Sequence, residues 1–316
     1  MATVEELTTV VEGVSGTQPS NHTGVSDHLM HIEEIELKRD GVKFKFILGT
    51  WNILAQKFMW YHSGKKADGS PTPDWYKFEN MTGLSVCPLA DENLAPQRRR
   101  AIVGKICEFF YKQPANAVTV LCLQECEFSI AEDVCKEIQG ITAQFDTKGS
   151  PGKVTLSRQA KAACPEGAES TLMMYTVLSV SPEFGEVVIA NSHLAFKTTQ
   201  NVKEFEDLKA FAKDRPTFVA GDFNIQCMPL SESAKNEGST KTLTEFINEV
   251  VCAKLGWKYV LGEHELGFTN FNCRGNCADP TRSADHFDNI LFLHDGSYES
   301  SFNPLEAHDE ESWWRK

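Results

Sequence analysis

No stretch of this sequence approaches the roughly 20 consecutive apolar residues that a membrane-spanning helix needs, so no span is expected. An excess of positive charge is missing as well. Against 44 Asp and Glu stand 31 Lys and Arg, a formal net charge of −13, whereas broad nucleic-acid surfaces work by displacing counterions with basic side chains. The balance therefore favours a small phosphorylated substrate or a locally basic groove over non-specific polyanion binding. The first 40 residues lack a signal-like apolar stretch and are too acidic for a mitochondrial transit peptide, which points to an intracellular, cytoplasmic protein with the nucleus as the alternative. In a reducing compartment the ten cysteines read as free thiols, with no disulfide-linked partner. Zinc is not expected either. Cys273 and Cys277 have no second ligand pair at finger spacing, and Cys122, Cys126 and Cys135 flank a strand end and a helix. No internal repeat is present.

What the chain does contain is a core. An apolar fraction of 41% with twenty Phe excludes wholesale disorder, and 316 residues suit one large α/β domain. Residues 1–30, rich in Thr, Ser, Gly and Glu, read as a mobile leader, with the domain over 31–316. Lys43 to Leu48 alternates and runs into Thr50-Trp51-Asn52, a strand ending in a functional loop. Residues 61–95 read as a long polar loop. Ile102, Val103, Ile106, Phe109 and Phe110 place an amphipathic helix after Pro96, then come a strand over 118–123 and a helix over 129–138 capped by Ser129. A hairpin over 171–180 and 186–194, a helix over 201–213, a strand over 217–223, a helix over 243–255 and a last strand over 287–293 complete the pattern. Strands interleaved with helices and hairpins predict a layered α/β fold with mixed sheets.

Four polar clusters fall at the ends of predicted strands, where open α/β sheets gather their ligands. They are Trp51-Asn52, Gln124-Glu125, Asn191-Ser192-His193 and Gly221-Asp222-Phe223-Asn224. A fifth, Asp288, is a carboxylate inside an apolar strand, where it needs a partner. Each alone could be structural: Asn52 as a strand-end turn former, Glu125 as a solvated helix entrance, His193 as a half-buried ring, Asp222-Phe223-Asn224 as a turn. Together and in order they are harder to assign to chance.

Thr50 to Gln56, Leu123 to Glu127, Asn191 to Leu194 and Gly221 to Asn224 resemble the successive motifs of the exonuclease–endonuclease–phosphatase superfamily. Phe268-Thr269-Asn270-Phe271 and Phe287 to Phe292 are similar to segments of its carbon-catabolite-repressor-type deadenylase, nocturnin and Angel branch. The resemblance implies a four-layer sandwich of two mixed β-sheets packed face to face and flanked by helices. It implies magnesium as cofactor, with manganese as the alternative, held by Glu125 with Asn52 beside it, since magnesium prefers oxygen ligands and retains most of its waters. Asp222 would orient and deprotonate the attacking water, while Asn224 and His193 would donate to the phosphate. Asn52, Phe268 and Phe271 would border the substrate, with His264 a further lining candidate. Asp288 would pair with a histidine from a Ser-Asp-His motif some tens of residues beyond its strand.

Beyond Asp288 the chain reaches Lys316 without that motif. Asp285-His286 and His308-Asp309 are the stand-ins within reach, and a truncated chain or a loss of efficient turnover would equally account for the gap. Arg98-Arg99-Arg100 reads as a solvated helix face, with a nucleic-acid backbone contact as the alternative. Trp51, Trp60, Trp75 and Tyr76 read as packing residues, with base stacking as the alternative. The expected function is hydrolysis of a phosphoester in RNA or a nucleotide, first of all as a 3′-exonuclease. The alternatives are phosphate removal from an inositol phosphate or a dinucleotide, and a catalytically weak binder of phosphorylated ligands.

Overall fold

The computed structural model describes Ser26, His28 and residues 30–56, 95–159, 161–163, 170–181, 184–195, 197–225, 241–261, 270–271, 284–285 and 288–305. Two six-stranded mixed sheets account for most of them. The first runs in the order β14-β1-β2-β3-β5-β4, with β1 His31–Arg39, β2 Val42–Asn52, β3 Val118–Cys126, β4 Ile141–Phe145, β5 Gly152–Arg158 and β14 Glu299–Pro304. The second runs β10-β13-β9-β8-β7-β6, with β6 Lys161–Ala163, β7 Met173–Ser181, β8 Gly185–His193, β9 Thr217–Asp222, β10 Lys258–Leu261 and β13 Asp288–His294. A small pair, β11 Asn270–Phe271 and β12 Ala284–Asp285, stands apart.

Period-two alternation explains how the sheets face each other. Ile35 and Leu37 of β1, Phe46 and Leu48 of β2, and Val120 and Cys122 of β3 pack against Val187 and Ile189 of β8, Phe218 and Ala220 of β9, and Ile290 and Phe292 of β13. Their intervening neighbours point to the outer faces, toward the helices in β2 and β3 and toward Lys43 and Lys45 for Glu34 and Glu36 of β1. Helix α1 Ala95–Lys112 lays Ile102, Ile106, Phe109 and Phe110 on Ile47, Trp51, Leu121 and Leu123, and α2 Phe128–Glu137 adds Ile130, Ala131 and Val134. On the opposite side α3 Thr198–Ala212 and α4 Leu243–Phe246 bury Phe205, Leu208, Leu243 and Phe246 against Val188, Val219 and Leu291. The result is the expected four-layer sandwich.

Within each sheet one parallel pair, β2–β3 and β8–β9, is joined by a crossover that contains α1 or α3. The parallel pairing sends the ends of β2, β3, β8 and β9 to one edge of the inter-sheet layer, and β13, antiparallel to β9, begins there.

Several expectations need correction. Ser129 does not cap α2: the helix begins at Phe128, and the Ser129 hydroxyl instead accepts from Arg99 Nη1 at 2.8 Å. The helix expected over 243–255 starts with a Thr242–Glu245 capping box and continues over Ile247–Lys254 as a π-helix that still buries Ile247, Val250 and Val251. The strand at Asp288 is followed by β14, which pairs with β1. The mobile leader expected over residues 1–30 reaches too far, because Ser26 and His28 are bound to the folded core.

Candidate active site

At the site edge the side chains that alternate into the inter-sheet layer turn polar, strand by strand. Thr50 and Asn52 end β2, Gln124 nears the end of β3, Asn191 and His193 end β8, Asp222 ends β9, and Asp288 opens β13. Register sets them side by side. Asn52 lies opposite Gln124, His193 opposite Asp222, and Asp222 opposite Asp288.

Asn52 ties the two sheets together. Its Nδ2 donates to Asp222 Oδ2 at 2.9 Å and to Glu125 Oε1 at 3.3 Å, while its Oδ1 accepts from the Leu54 amide at 3.0 Å. Glu125 is the odd member, since strict alternation would aim it away from this layer. The β3–β5 pairing slips between Leu123 and Cys126, and Glu125 takes a left-handed φ of 54° inside the slip. Such irregularities re-aim a side chain. Leu54 and Asn224 are also left-handed, at 52° and 49°, so three non-glycine residues hold this uncommon conformation around one site.

Asp222 is almost wholly enclosed. Its Oδ1 accepts from the Asn224 amide at 2.9 Å, and its Oδ2, besides taking the Asn52 bond, lies 3.7 Å from His193 Nε2 and 3.8 Å from His28 Nε2. His193 is the more open ring and stands 3.7 Å from Glu125 Oε1 as well. Asn224 donates its Nδ2 to the Leu194 carbonyl at 2.9 Å, leaving one amide hydrogen for a ligand. Close approach of β8 to β9 also demands Gly221, where a Cβ would sit 1.9 Å from the Ser192 carbonyl oxygen.

The residue missed by the sequence reading is His28. Its Nδ1 lies 2.7 Å from Asp288 Oδ2, with both side chains buried, so the strand aspartate has its histidine from 260 residues earlier in the chain. Ser26 fastens this segment by donating to the Asn52 carbonyl at 2.7 Å and accepting from the His28 amide at 3.1 Å, and Trp51 Nε1 donates to the His28 carbonyl at 3.0 Å. Ser26-Asp27-His28 is itself a Ser-Asp-His sequence. It precedes the Asn52 strand instead of following the Asp288 strand, so the motif order is a rotation of the one the resemblance implied. A search for the tripeptide over the whole chain would have found it.

A buried polar floor supports these groups. Gln124 Nε2 donates to Asn191 Oδ1 at 2.9 Å and to Thr50 Oγ1 at 3.1 Å, and Asn191 Nδ2 donates to the Val154 carbonyl at 2.9 Å. From α3, Asn201 clamps both the amide and the carbonyl of Ala195, just beyond His193.

Of the other sequence candidates, Arg98 is not on a solvated face but fully buried, and Arg99 is bound to Asp133 and Ser129. Trp51 packs in the core. Phe271 lies on β11, while Trp60, Trp75, Tyr76, His264, Phe268, His286, His308, Cys273 and Cys277 lie outside the described residues. Cys107, Cys122, Cys126, Cys135 and Cys252 are free, and burial pushes the Cys107 thiol up to about 11 and that of Cys122 to about 12. Such thiols are inert. Among the described residues no group of three or more His, Cys, Asp or Glu side chains is placed to hold a metal, and no helix is long and apolar enough to cross a membrane.

Neither a family model nor a curated protein matches the sequence. Solved structures match by shape. ANGEL2, described as a 2′,3′-cyclic phosphatase and solved with adenosine-2′,3′-vanadate, is 14% identical, with a TM-score of 0.45 over 85% of this chain and 88% of its own. Humanized D. rerio TDP2 is 15% identical, with a TM-score of 0.41 over 65% and 79%. An endonuclease/exonuclease/phosphatase family protein from Leptotrichia buccalis is 12% identical, with a TM-score of 0.40 over 64% and 83%. The neighbours are endonuclease/exonuclease/phosphatase-fold proteins. At these identities the likeness concerns the arrangement of sheets and helices alone.

Proposed function

We propose that this chain is a phosphoester hydrolase acting on RNA or a nucleotide, with 3′-exonuclease action as the first reading. The observation that carries it is the convergence of Glu125, Asp222 and two histidines around the amide of Asn52. Glu125 would hold a magnesium ion through its carboxylate, with Asn52, whose Nδ2 donates to that carboxylate, as the neighbour that fixes it. One accessible carboxylate beside an amide suits an ion that keeps most of its waters, and the same donor set would accept manganese. When bound, the ion neutralises charge on the phosphoryl and leaving oxygens.

The chain's own groups divide the remaining work. Asp222, held by the Asn52 amide and the Asn224 backbone, takes the proton from the water that attacks phosphorus while the P–O ester bond breaks. Asp288 orients His28 by accepting at Nδ1, which stabilises the charged imidazolium and turns Nε2 toward the centre. His28 and the more open His193 then donate to the phosphoryl oxygens as charge builds. The second hydrogen of Asn224 Nδ2 is available for the same purpose. With His28 in place, the absent histidine no longer favours the catalytically weak binder.

The test is a magnesium-dependent assay on labelled poly(A), a 2′-phosphorylated dinucleotide and phosphoinositides, with Glu125→Ala beside the native protein. Shortening of poly(A) that is lost in the variant is expected. Release of phosphate from either small substrate, with poly(A) untouched, would move the reading to a phosphatase. Activity unchanged by Glu125→Ala would remove the proposal.

A further inference from the structure

We infer that Arg98 is a positioning residue for Glu125, acting through the Leu54–Ala55 peptide. The arginine lies in the first turn of α1 and is 1% exposed. Its Nη2 donates to the carbonyls of Ile53 at 2.6 Å and Leu54 at 2.5 Å, and Nη1 donates to Gln56 Oε1 at 3.1 Å. The other side of the same peptide unit faces the site. There the Ala55 amide donates to Glu125 Oε2 at 3.1 Å, and the next amide, that of Gln56, donates to Glu127 Oε1 at 2.7 Å.

A cation on the carbonyl of a peptide polarises its N–H and strengthens the bond that the N–H makes. Arg98 therefore acts on Glu125 through one planar unit while sitting outside the polar centre. The loop it grips also needs gripping. Leu54 is left-handed, a conformation unfavourable for a non-glycine residue, and its amide orients Asn52 Oδ1. The fork is specific to arginine, because lysine is a point charge that cannot span two carbonyls and an amide oxygen in one plane.

This inference rests on Glu125 as the metal-holding group, and Mn²⁺ binding followed by electron paramagnetic resonance separates the two ideas. Glu125→Gln tests the reading: Mn²⁺ binding unchanged by that substitution would sink it whatever Arg98 does. If Glu125→Gln weakens binding, Arg98→Lys is expected to raise the Mn²⁺ dissociation constant roughly tenfold, the lower end for residues that orient a metal ligand. In the Glu125→Gln background the same substitution should leave binding nearly unchanged, because its route is already gone. Unchanged binding in Arg98→Lys, or an equal loss in both backgrounds, would overturn the assignment. Should Arg98→Lys fail to fold, the half-exposed Gln56 supplies a variant that keeps the arginine. Gln56→Ala removes one arm of the fork and should weaken binding, by less than Arg98→Lys does, and no change there would equally overturn it.

Discussion

The two ends of the inter-sheet layer are built by the same strands yet obey opposite rules. At one end Phe46 and Phe292 pack on Phe218, with ring centroids at 5.1 and 4.6 Å, and Phe44, Phe184 and Tyr298 close the stack. At the other, a few residues along, Asn52, Gln124, Asn191, Asp222, Asp288 and His28 are equally buried and joined by hydrogen bonds. Area removed from water stabilises the first end. The second loses hydration and recovers it only through partners of correct geometry, so it contributes little net stability while holding its groups in one arrangement. One fold thus keeps its apolar packing and its candidate site at opposite edges of a single layer.

The largest expected effect sharpens this division. His28→Ala and Asp288→Asn should each lower turnover by about 10²–10⁴-fold, the usual contribution of a positioned proton donor, with the far end still cooperatively folded. Comparable rates in steady-state assays would mean that the pair is structural. At the aromatic end, Phe218→Ala should cost about 3–5 kcal/mol in urea unfolding and leave turnover per folded molecule unchanged. A fall in intrinsic turnover would show that the two ends are coupled.

A smaller effect concerns Glu33, which sits with His31 at the polar end of β1, its Oε1 2.9 Å from His31 Nε2. Burial pushes this carboxyl up to about 7 from its ordinary 4.5. Below pH 4.5 it is protonated in both states. Between 4.5 and 7 it ionises only when unfolded, so its contribution to stability is lost as pH rises through that window, by roughly 3 kcal/mol in all. Urea unfolding at pH 4.5 and 7.5 should show Glu33→Gln with a flatter dependence than the native protein, and parallel curves would refute this role for the carboxyl. The smallest effect is expected from rotating the chain. Leu305 is bonded to the Ile32 carbonyl, and β1 meets β2 through the exposed Asp40-Gly41 turn. Joining residue 305 to 26 through about ten Gly and Ser residues and opening the turn should keep the fold and the Asp288 pairing. Loss of Mn²⁺ binding in a folded rotated variant would show that the turn itself matters.

Much of the candidate site was legible in the sequence because most of its polar groups stand at the ends of apolar strands. Asn52, Glu125, His193 and Asp222 were found that way and Asp288 as a carboxylate within an apolar strand, and the structure gathers them at one edge. His28 was overlooked because its Ser-Asp-His motif was expected beyond the Asp288 strand, whereas it lies 260 residues before it. The roles of Arg98 and the aim of Glu125 were illegible for a different reason. An arginine becomes a buried clamp only when a distant loop turns its carbonyls inward, and a strand residue points the wrong way by simple alternation until a slip in pairing turns it.

The sequence by itself determined the layers, since period-two and helical apolar patterns demand burial on specific faces wherever the chain goes. It also determined which side chains carry charge and amide groups to the strand ends. Only the tertiary structure decided which of them meet. Strand register, the slip at Glu125 and the docking of Ser26 and His28 on Asn52 and Asp288 are set by many weak contacts acting together, and no local stretch of chain encodes them.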